Sequence, residues 1–351
     1  MDGTDVGGTP NLNATRSRGV RPRRPGLTRR SQPIIYSTLS MEGIEALVRR
    51  CYDLNEPLEC TFFCRGVSDT YRISTPEQRF ALKVYRARWR TREAIEWEMA
   101  TLKHMDLRGV EVAMSVPRRN GQIITNVRAP EGLRSAVLFQ WVRGYAPKYT
   151  EPEHARQFGR LLARVHEAGG DIPPDASRPQ FDIRFLLEEP LSRIRSRLQS
   201  SASAAARLAA LEDRILERIE QADGRLGSWG FCHGDIWANN ARIDGGRLTL
   251  FDFDFAGFGW QLFDLASYRW HARYDGVEQA AWTPFIEGYQ QVRPLEADSR
   301  ELINLFMILK HLWTTAHFMA LAPETGLSFV PDEQLEGLAP YCESIEAESG
   351  H

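Results

Sequence analysis

The chain has little of what would mark a secreted, membrane-spanning or metal-clustered protein. Its five cysteines, Cys51, Cys60, Cys64, Cys232 and Cys342, are odd in number and form no CxxC pair, so they outline no disulfide framework, and a zinc site on Cys60, Cys64 and a histidine is the lesser reading beside free buried cysteines. No secretory apolar core precedes them, and the expectation is a reducing, cytoplasmic compartment. Long uncharged apolar runs are also missing. The most apolar stretch, 302–322, is broken by Lys310, His311 and His317, which reads as a buried helix rather than a membrane span. There is no internal repeat. The net charge of −2 conceals an uneven distribution: residues 1–32 carry seven arginines against Asp2 and Asp5, a tail of +5 on a body of −7. A mildly acidic body offers no surface to phosphate backbones, so neither nucleic acid nor membrane is an expected partner.

What is present suits a folded body of some size. With 351 residues, 42% hydrophobic and 26% charged, the chain can fill two lobes. Residues 1–32, rich in Gly, Pro, Thr and Arg, cannot offset the entropy of ordering and read as a disordered tail. Ile44, Leu47, Val48 and Cys51 recur at helical spacing behind Ser40, predicting a short capped helix over 41–54. Strand-like runs follow at 58–65, 70–74 and 79–85, divided by Gly66-Val67-Ser68-Asp69 and Thr75-Pro76-Glu77-Gln78. A helix over 91–105 and strands at 123–127 and 135–141 complete a first lobe, 33–144. From 145 to 351 the pattern is helical, at 152–167, 186–198, 204–221, 280–291 and 299–320. One hairpin interrupts it, 241–243 against 248–253, turned by Asp244-Gly245-Gly246. The expected fold is α+β and bilobal, an antiparallel sheet plus a helix followed by a mainly helical lobe.

Chemistry concentrates where the helical half is interrupted. His233-Gly234-Asp235 is followed by Asn240 and then by Asp252. Phosphoryl transfer needs a carboxylate to accept or orient the proton of an attacking hydroxyl. It also needs an amide oxygen and a second carboxylate to hold the magnesium that bridges the phosphates. Asp235, Asn240 and Asp252 supply those types in that order, with the His-x-Asp-x-x-x-x-Asn spacing of a kinase catalytic loop and Gly234 in place of Arg. Asp235 and Asn240 fall at two ends of one loop, and the hairpin returns Asp252 to its mouth. Taken singly each has a plainer reading as a cap or turn residue; their combination carries the assignment. His233 reads chiefly as a brace, with proton transfer as a lesser catalytic role, and Asp254 is a second candidate for the metal.

In the first half, Lys83 interrupts the apolar run Ala81-Leu82-Lys83-Val84-Tyr85 and is the candidate cation for the phosphates; for a lone strand, an edge lysine reaching water would be the default. Ile95, Met99 and Leu102 define a buried helical stripe onto which Glu98 projects while Glu93 and Glu96 point away. Lys83 is its expected partner. Gly66 and Ser68 lie in the candidate phosphate-covering turn, without a full Gly-x-Gly-x-x-Gly pattern. Gln140 and Val142 lie in 139–144, where an adenine would meet the backbone between the lobes.

The run from His233-Gly234-Asp235 to Asn240, then Phe251-Asp252-Phe253-Asp254 and Gly259 to Asp264-Leu265-Ala266, resembles the aminoglycoside phosphotransferase and choline kinase superfamily. The likeness extends to Lys83 and to the segment from Gly159 to His166, similar to a helix ahead of the catalytic loop in that group. Gly288-Tyr289 and Arg293-Pro294-Leu295 look most like the branch of stress response kinase A and homoserine-kinase-like proteins. This resemblance implies a protein-kinase-like fold, ATP or GTP with Mg2+, and transfer of the γ-phosphoryl group to a hydroxyl. It aligns Asp252 with the magnesium carboxylate and makes Asp264 a brace. Trp237-Ala238-Asn239 departs from the His-Pro-Gly-like run of relatives, which suits a different acceptor and sets Asn239 beside Asn240 as an alternative metal amide; spacing favours Asn240. The expected acceptor is a small molecule, with a protein Ser/Thr, as in stress response kinase A, the alternative. A nucleotide-binding pseudokinase scaffold is the reading of another class, opposed by the presence of Asp235, Asn240, Asp252 and Lys83 together. The helices that would shape an acceptor pocket carry no transferable code; Arg178, Arg184, Arg193 and Arg195 read chiefly as solvated helix faces, with attraction of an anionic acceptor the lesser reading.

Overall fold

Alternating side chains build the first lobe. β1 (Glu59–Arg65), β2 (Asp69–Ser74), β3 (Arg79–Val84), β4 (Thr125–Ala129) and β5 (Gly132–Gln140) form one antiparallel sheet in the order β1-β2-β3-β5-β4. Phe80, Leu82 and Val84 of β3 bury on one face with Tyr71 and Ile73 of β2. The period of two puts Lys83 on the other face, opposite Val137 of β5. α1 (Met41–Cys51) covers the first face with Ile44, Leu47, Val48 and Cys51, its first turn capped by Ser40 Oγ, which accepts from the Gly43 amide at 3.1 Å. α2 (Arg92–Leu107), capped by Thr91, lies on the Lys83 side, and its Ile95, Met99 and Leu102 join Val137 in the larger core that continues into the second lobe.

This computed structural model describes residues 32–198, 201–222, 225–295, 299 and 302–348. All but the last residue of the arginine-rich tail, 1–32, lie outside the described residues. The second lobe contains α3 (Pro152–Ala168), α4 (Glu189–Arg197), α5 (Ala202–Gln221), α6 (Leu262–Tyr274), α7 (Glu278–Gln290), α8 (Ile303–Thr325), α9 (Asp332–Glu336) and α10 (Leu338–Ala347). Between them run the hairpin β8 (Ala241–Asp244) and β9 (Arg247–Leu250), and a small sheet of β6 (Gln180–Phe181), β10 (Gly257–Trp260) and β7 (Trp229–Cys232).

Three differences from the sequence reading have physical causes. The single helix expected over 186–198 is a π-helical turn, Arg184–Glu188, followed by α4. Pro190, at the start of α4, has no N–H to give the carbonyl four residues back, so the register shifts there. α6 was not anticipated, because it is buried on nearly every side and shows no amphipathic period. α8 begins at Ile303 and runs past 320 to Thr325, closing at Gly326 with φ +83. It is the one described helix long and apolar enough to cross a membrane, and 67% of its most apolar window is buried inside the fold.

α3 and α7 pack at an unusually close approach. A Cβ on Gly159 would stand 2.0 Å from the Phe285 carbonyl, and one on Gly288 would stand 2.1 Å from that of Arg156. This contact carries Tyr289 to His166, and so reaches the site.

Candidate active site

A buried carboxylate at the start of α6 shapes the loop after β7. Asp264 accepts the backbone amides of His233 at 2.6 Å and Gly234 at 2.8 Å, and the Nε2 hydrogen of His166 at 3.2 Å. With Nε2 donating, His166 Nδ1 accepts the Tyr289 hydroxyl at 2.9 Å. Gly234 has φ +83, and a Cβ there would lie 2.5 Å from the Phe255 carbonyl and 2.7 Å from the Phe181 ring. That crowding accounts for glycine where protein kinases carry arginine. His233 accepts the Asp235 amide at Nδ1 and donates from Nε2 to the Phe251 carbonyl, both at 3.2 Å. Burial pushes its imidazole pKa down, and neither nitrogen is left for an acceptor hydroxyl. Both ring nitrogens are thus engaged within the loop, an arrangement that favours the bracing reading of His233 over proton transfer.

Asp235 stands at the open end of this loop. Its Oδ1 accepts from the Lys310 ammonium at 3.0 Å, with His271 Nε2 at 3.7 Å, and its Oδ2 accepts from Asn240 Nδ2 at 3.1 Å. Burial alone would raise the carboxyl pKa, but Lys310 and His271 outweigh it and hold the group far below the usual carboxylate range. The Asn240 amide also donates to the Asp235 carbonyl at 2.9 Å, so its Oδ1 points away and accepts no hydrogen bond among the described residues. The Phe251 amide donates to the Asn240 carbonyl at 2.9 Å, which brings the next residue, Asp252, to the same place. Asp252 is a non-glycine residue at φ +65, a conformation that costs energy and concentrates at functional sites. Its side chain is 46% exposed.

From the first lobe Lys83 meets Asp252 at 2.6 Å and Asp254 at 3.3 Å. Burial opposes its charge, yet the two carboxylates raise its pKa well above the ordinary value. The expected pair with Glu98 is not formed. Glu98 lies buried on the α2 stripe as anticipated, but accepts from the Tyr85 hydroxyl at 3.1 Å, and burial raises its pKa. The carboxylates after β9 are nearer to Lys83 and claim it. Asp254 is fixed on all sides: Trp89 Nε1 donates to it at 3.1 Å, Arg90 Nε at 2.8 Å, and burial is overcome by Lys83 and Arg90, which hold its pKa down. Arg178 is corrected from a solvated helix face to a buried anchor, donating to the carbonyls of Ala256, Phe253 and Asp254 at 2.7–2.9 Å.

The other expected binding residues sit at the rim. Gly66 and Ser68 form the β1–β2 turn, which Arg86 grips through the Val67 carbonyl at 3.0 Å and that of Gly66 at 3.4 Å. Gln140 ends β5 and spends its amide on Met114 at 2.9 Å, while the Val142 amide beyond it has no partner among the described residues. Asn239 is exposed and accepts from Arg242 through its carbonyl. Asn240 Oδ1 and the Asp252 carboxylate are the oxygen donors a hard divalent cation takes, water and phosphate completing the shell. No cluster of three His, Cys, Asp or Glu suited to a metal exists among the described residues.

Sequence reasoning missed Lys310, His271, Arg90 and Trp89. A signal existed for Lys310: it is a lone lysine in an apolar helix, as Lys83 is in an apolar strand. His271, Arg90 and Trp89 gave none, since each lies in sequence of ordinary polarity.

A five-stranded sheet and helix set over a helical lobe, with this loop between them, define a bilobal phosphotransferase of protein-kinase-like fold. Residues 59–295 match the phosphotransferase enzyme family known as APH, and the chain belongs to it. An uncharacterized protein of Deinococcus radiodurans is 35% identical over 302 residues, 85% of this chain and 87% of that one. A homoserine kinase of Neisseria meningitidis serogroup B is 24% identical over 273 residues, 76% of this chain and 84% of that one. Among solved structures, an amicoumacin kinase in complex with AMP-PNP and Ca2+ superposes with a TM-score of 0.70 at 17% identity, covering 88% of this chain and 94% of that one, a likeness of fold. The chain is thus a phosphotransferase of that enzyme family.

Proposed function

We propose that the protein transfers the γ-phosphoryl group of ATP, taken with Mg2+, to a hydroxyl of a small molecule. The observation that carries this reading is the Asp235 carboxylate, held ionised between Lys310 and Asn240 within a loop that also gathers Asp252. The acceptor oxygen attacks the γ-phosphorus, the bond to the β–γ bridging oxygen breaks, and its electron pair leaves with ADP. The hydroxyl proton passes to Asp235. Lys83 faces the phosphates, the Gly66–Ser68 turn covers them, and the backbone at Gln140 and Val142 receives the adenine. Asn240 and Asp252 would hold the metal, which when bound neutralises phosphate charge. A relative that is a homoserine kinase and a fold neighbour seen with AMP-PNP support a small acceptor and an adenine nucleotide. Five unpaired cysteines support a cytoplasmic setting.

The test is transfer from γ-labelled ATP, with and without Mg2+, to sugars, amino alcohols, aminoglycosides and protein substrates. Magnesium-dependent label on a small molecule is the expected result. Label confined to protein Ser/Thr would move the acceptor to the stress response kinase A alternative, and nucleotide binding without any turnover would favour the pseudokinase.

A further inference from the structure

Lysine is scarce in this chain: Lys83, Lys103, Lys148 and Lys310 are the only four among 44 basic residues. Lys103 and Lys148 are exposed, whereas Lys83 and Lys310 are sheltered and each ends on a carboxylate of the transfer site. In a chain that uses arginine almost everywhere else, a buried lysine marks a place for a compact ammonium rather than a planar fork.

Lys310 projects from α8 with its side chain 1% exposed, its ammonium 4.8 Å from the Trp313 ring centroid and 5.6 Å from that of Phe263. Nζ lies 3.0 Å from Asp235 Oδ1 and 3.5 Å from the Gly234 carbonyl, and Asp235 is its one ion-pair partner among the described residues. Desolvating an ammonium costs several kcal/mol, and an apolar side chain would fill this space without that cost. The same face of α8 returns every seven residues. His317 packs on Trp89 and Phe255, with centroids 5.7 and 5.1 Å away, and Glu324 pairs at 2.6 Å with Arg86, which grips the phosphate turn. The helix that delivers Lys310 is thereby fixed against both lobes.

We propose that Lys310 is a positioning residue of the transfer reaction. Its ammonium fixes Asp235 Oδ1, so that the carboxylate, steadied at Oδ2 by Asn240, turns its remaining lone pair to the acceptor hydroxyl. The role rests on the assignment of Asp235 given above.

The experiment measures Mg·ATP turnover with water as acceptor, and with any small hydroxyl acceptor the screen yields, for Lys310→Met, Lys310→Ala and the surface controls Lys103→Met and Lys148→Met. Lys310→Met should lower kcat at least ~10²-fold, with the ATP KM within about two-fold and the melting temperature retained. Ethylammonium should restore part of the Lys310→Ala rate saturably, and tetramethylammonium should not; this arm stands even if the methionine variant folds poorly. Both controls should match wild type. A Lys310→Met rate within about three-fold of wild type overturns the proposal, as does a loss without amine rescue in which nucleotide binding and melting temperature fall together. A wild-type protein with no ATP turnover would instead overturn the kinase reading on which the proposal rests.

Discussion

Two lysines interrupt apolar elements, one in each lobe, and their surroundings differ. Lys83, on β3, faces Asp252 and Asp254, and the first of these is half in solvent. Lys310, on α8, has a single carboxylate partner and is sealed behind aromatic rings. A half-exposed ion pair exchanges partners at little cost, whereas a buried one is held because separating it strands a charge. On the proposed function, the first lobe would offer a cation that nucleotide phosphates take over, and the second a carboxylate whose orientation is set before any substrate arrives.

The strongest way to break this contrast is to compare Asp252→Ala with Asp254→Ala. Asp252→Ala should lower magnesium-dependent turnover at least ~10²-fold while changing stability by less than about 1 kcal/mol. Asp254→Ala should cost about 3–5 kcal/mol, because Arg90 and Lys83 both lose the same buried carboxylate. Turnover at a temperature where both variants are folded, set beside denaturant unfolding, separates the two. If Asp254 carries the metal dependence, the assignment of the two carboxylates is reversed.

A double-mutant cycle sharpens the first-lobe half of the comparison. Because Glu98 bonds the Tyr85 hydroxyl while Lys83 bonds Asp252 and lies 4.8 Å from the Tyr85 ring, the two meet through Tyr85 rather than directly, and stability coupling between Lys83→Ala and Glu98→Ala in the nucleotide-free protein should stay at the low end of about 0.5–3 kcal/mol. A larger coupling would restore the pair that the sequence suggests. Glu93→Ala and Glu96→Ala serve as controls.

A smaller effect is expected from the second lobe's buried histidines. Burial pushes His311 and His317 down to about 4, and His311 Nδ1 accepts the Trp270 indole hydrogen at 3.3 Å, a bond that protonation removes. A histidine depressed on folding binds its proton more readily unfolded. Stability is therefore complete above the ordinary value of about 6.5 and declines as pH falls toward 4. The melting temperature should drop by a few degrees across that window, and His311→Gln should remove part of the decline. A flat profile would contradict the packing described for α8.

The first sheet was legible because strict alternation in 69–74 and 79–84 leaves one register that buries Tyr71, Ile73, Phe80, Leu82 and Val84 together. Asp235, Asn240 and Asp252 were legible because their spacing is local, all within one loop and hairpin. Contacts across long stretches of chain were not. Which acid Lys83 meets depends on how the loop after β9 folds back on β3, and position along α2 fixes only that Glu98 faces inward. Lys310 carried the same sign as Lys83, but a charge in an apolar helix also reads as the mark of a soluble core. The strands β6, β7 and β10 span two to four residues, too short for alternation to register.

The central claim is that Asp235 receives the acceptor hydroxyl while other groups bind the nucleotide. Asp235→Asn tests it most directly, by phosphoryl transfer from labelled ATP set beside Mg·ATP binding by calorimetry. Transfer reduced at least ~10²-fold with nucleotide affinity within about three-fold is the predicted result. Transfer at the wild-type rate would contradict the account.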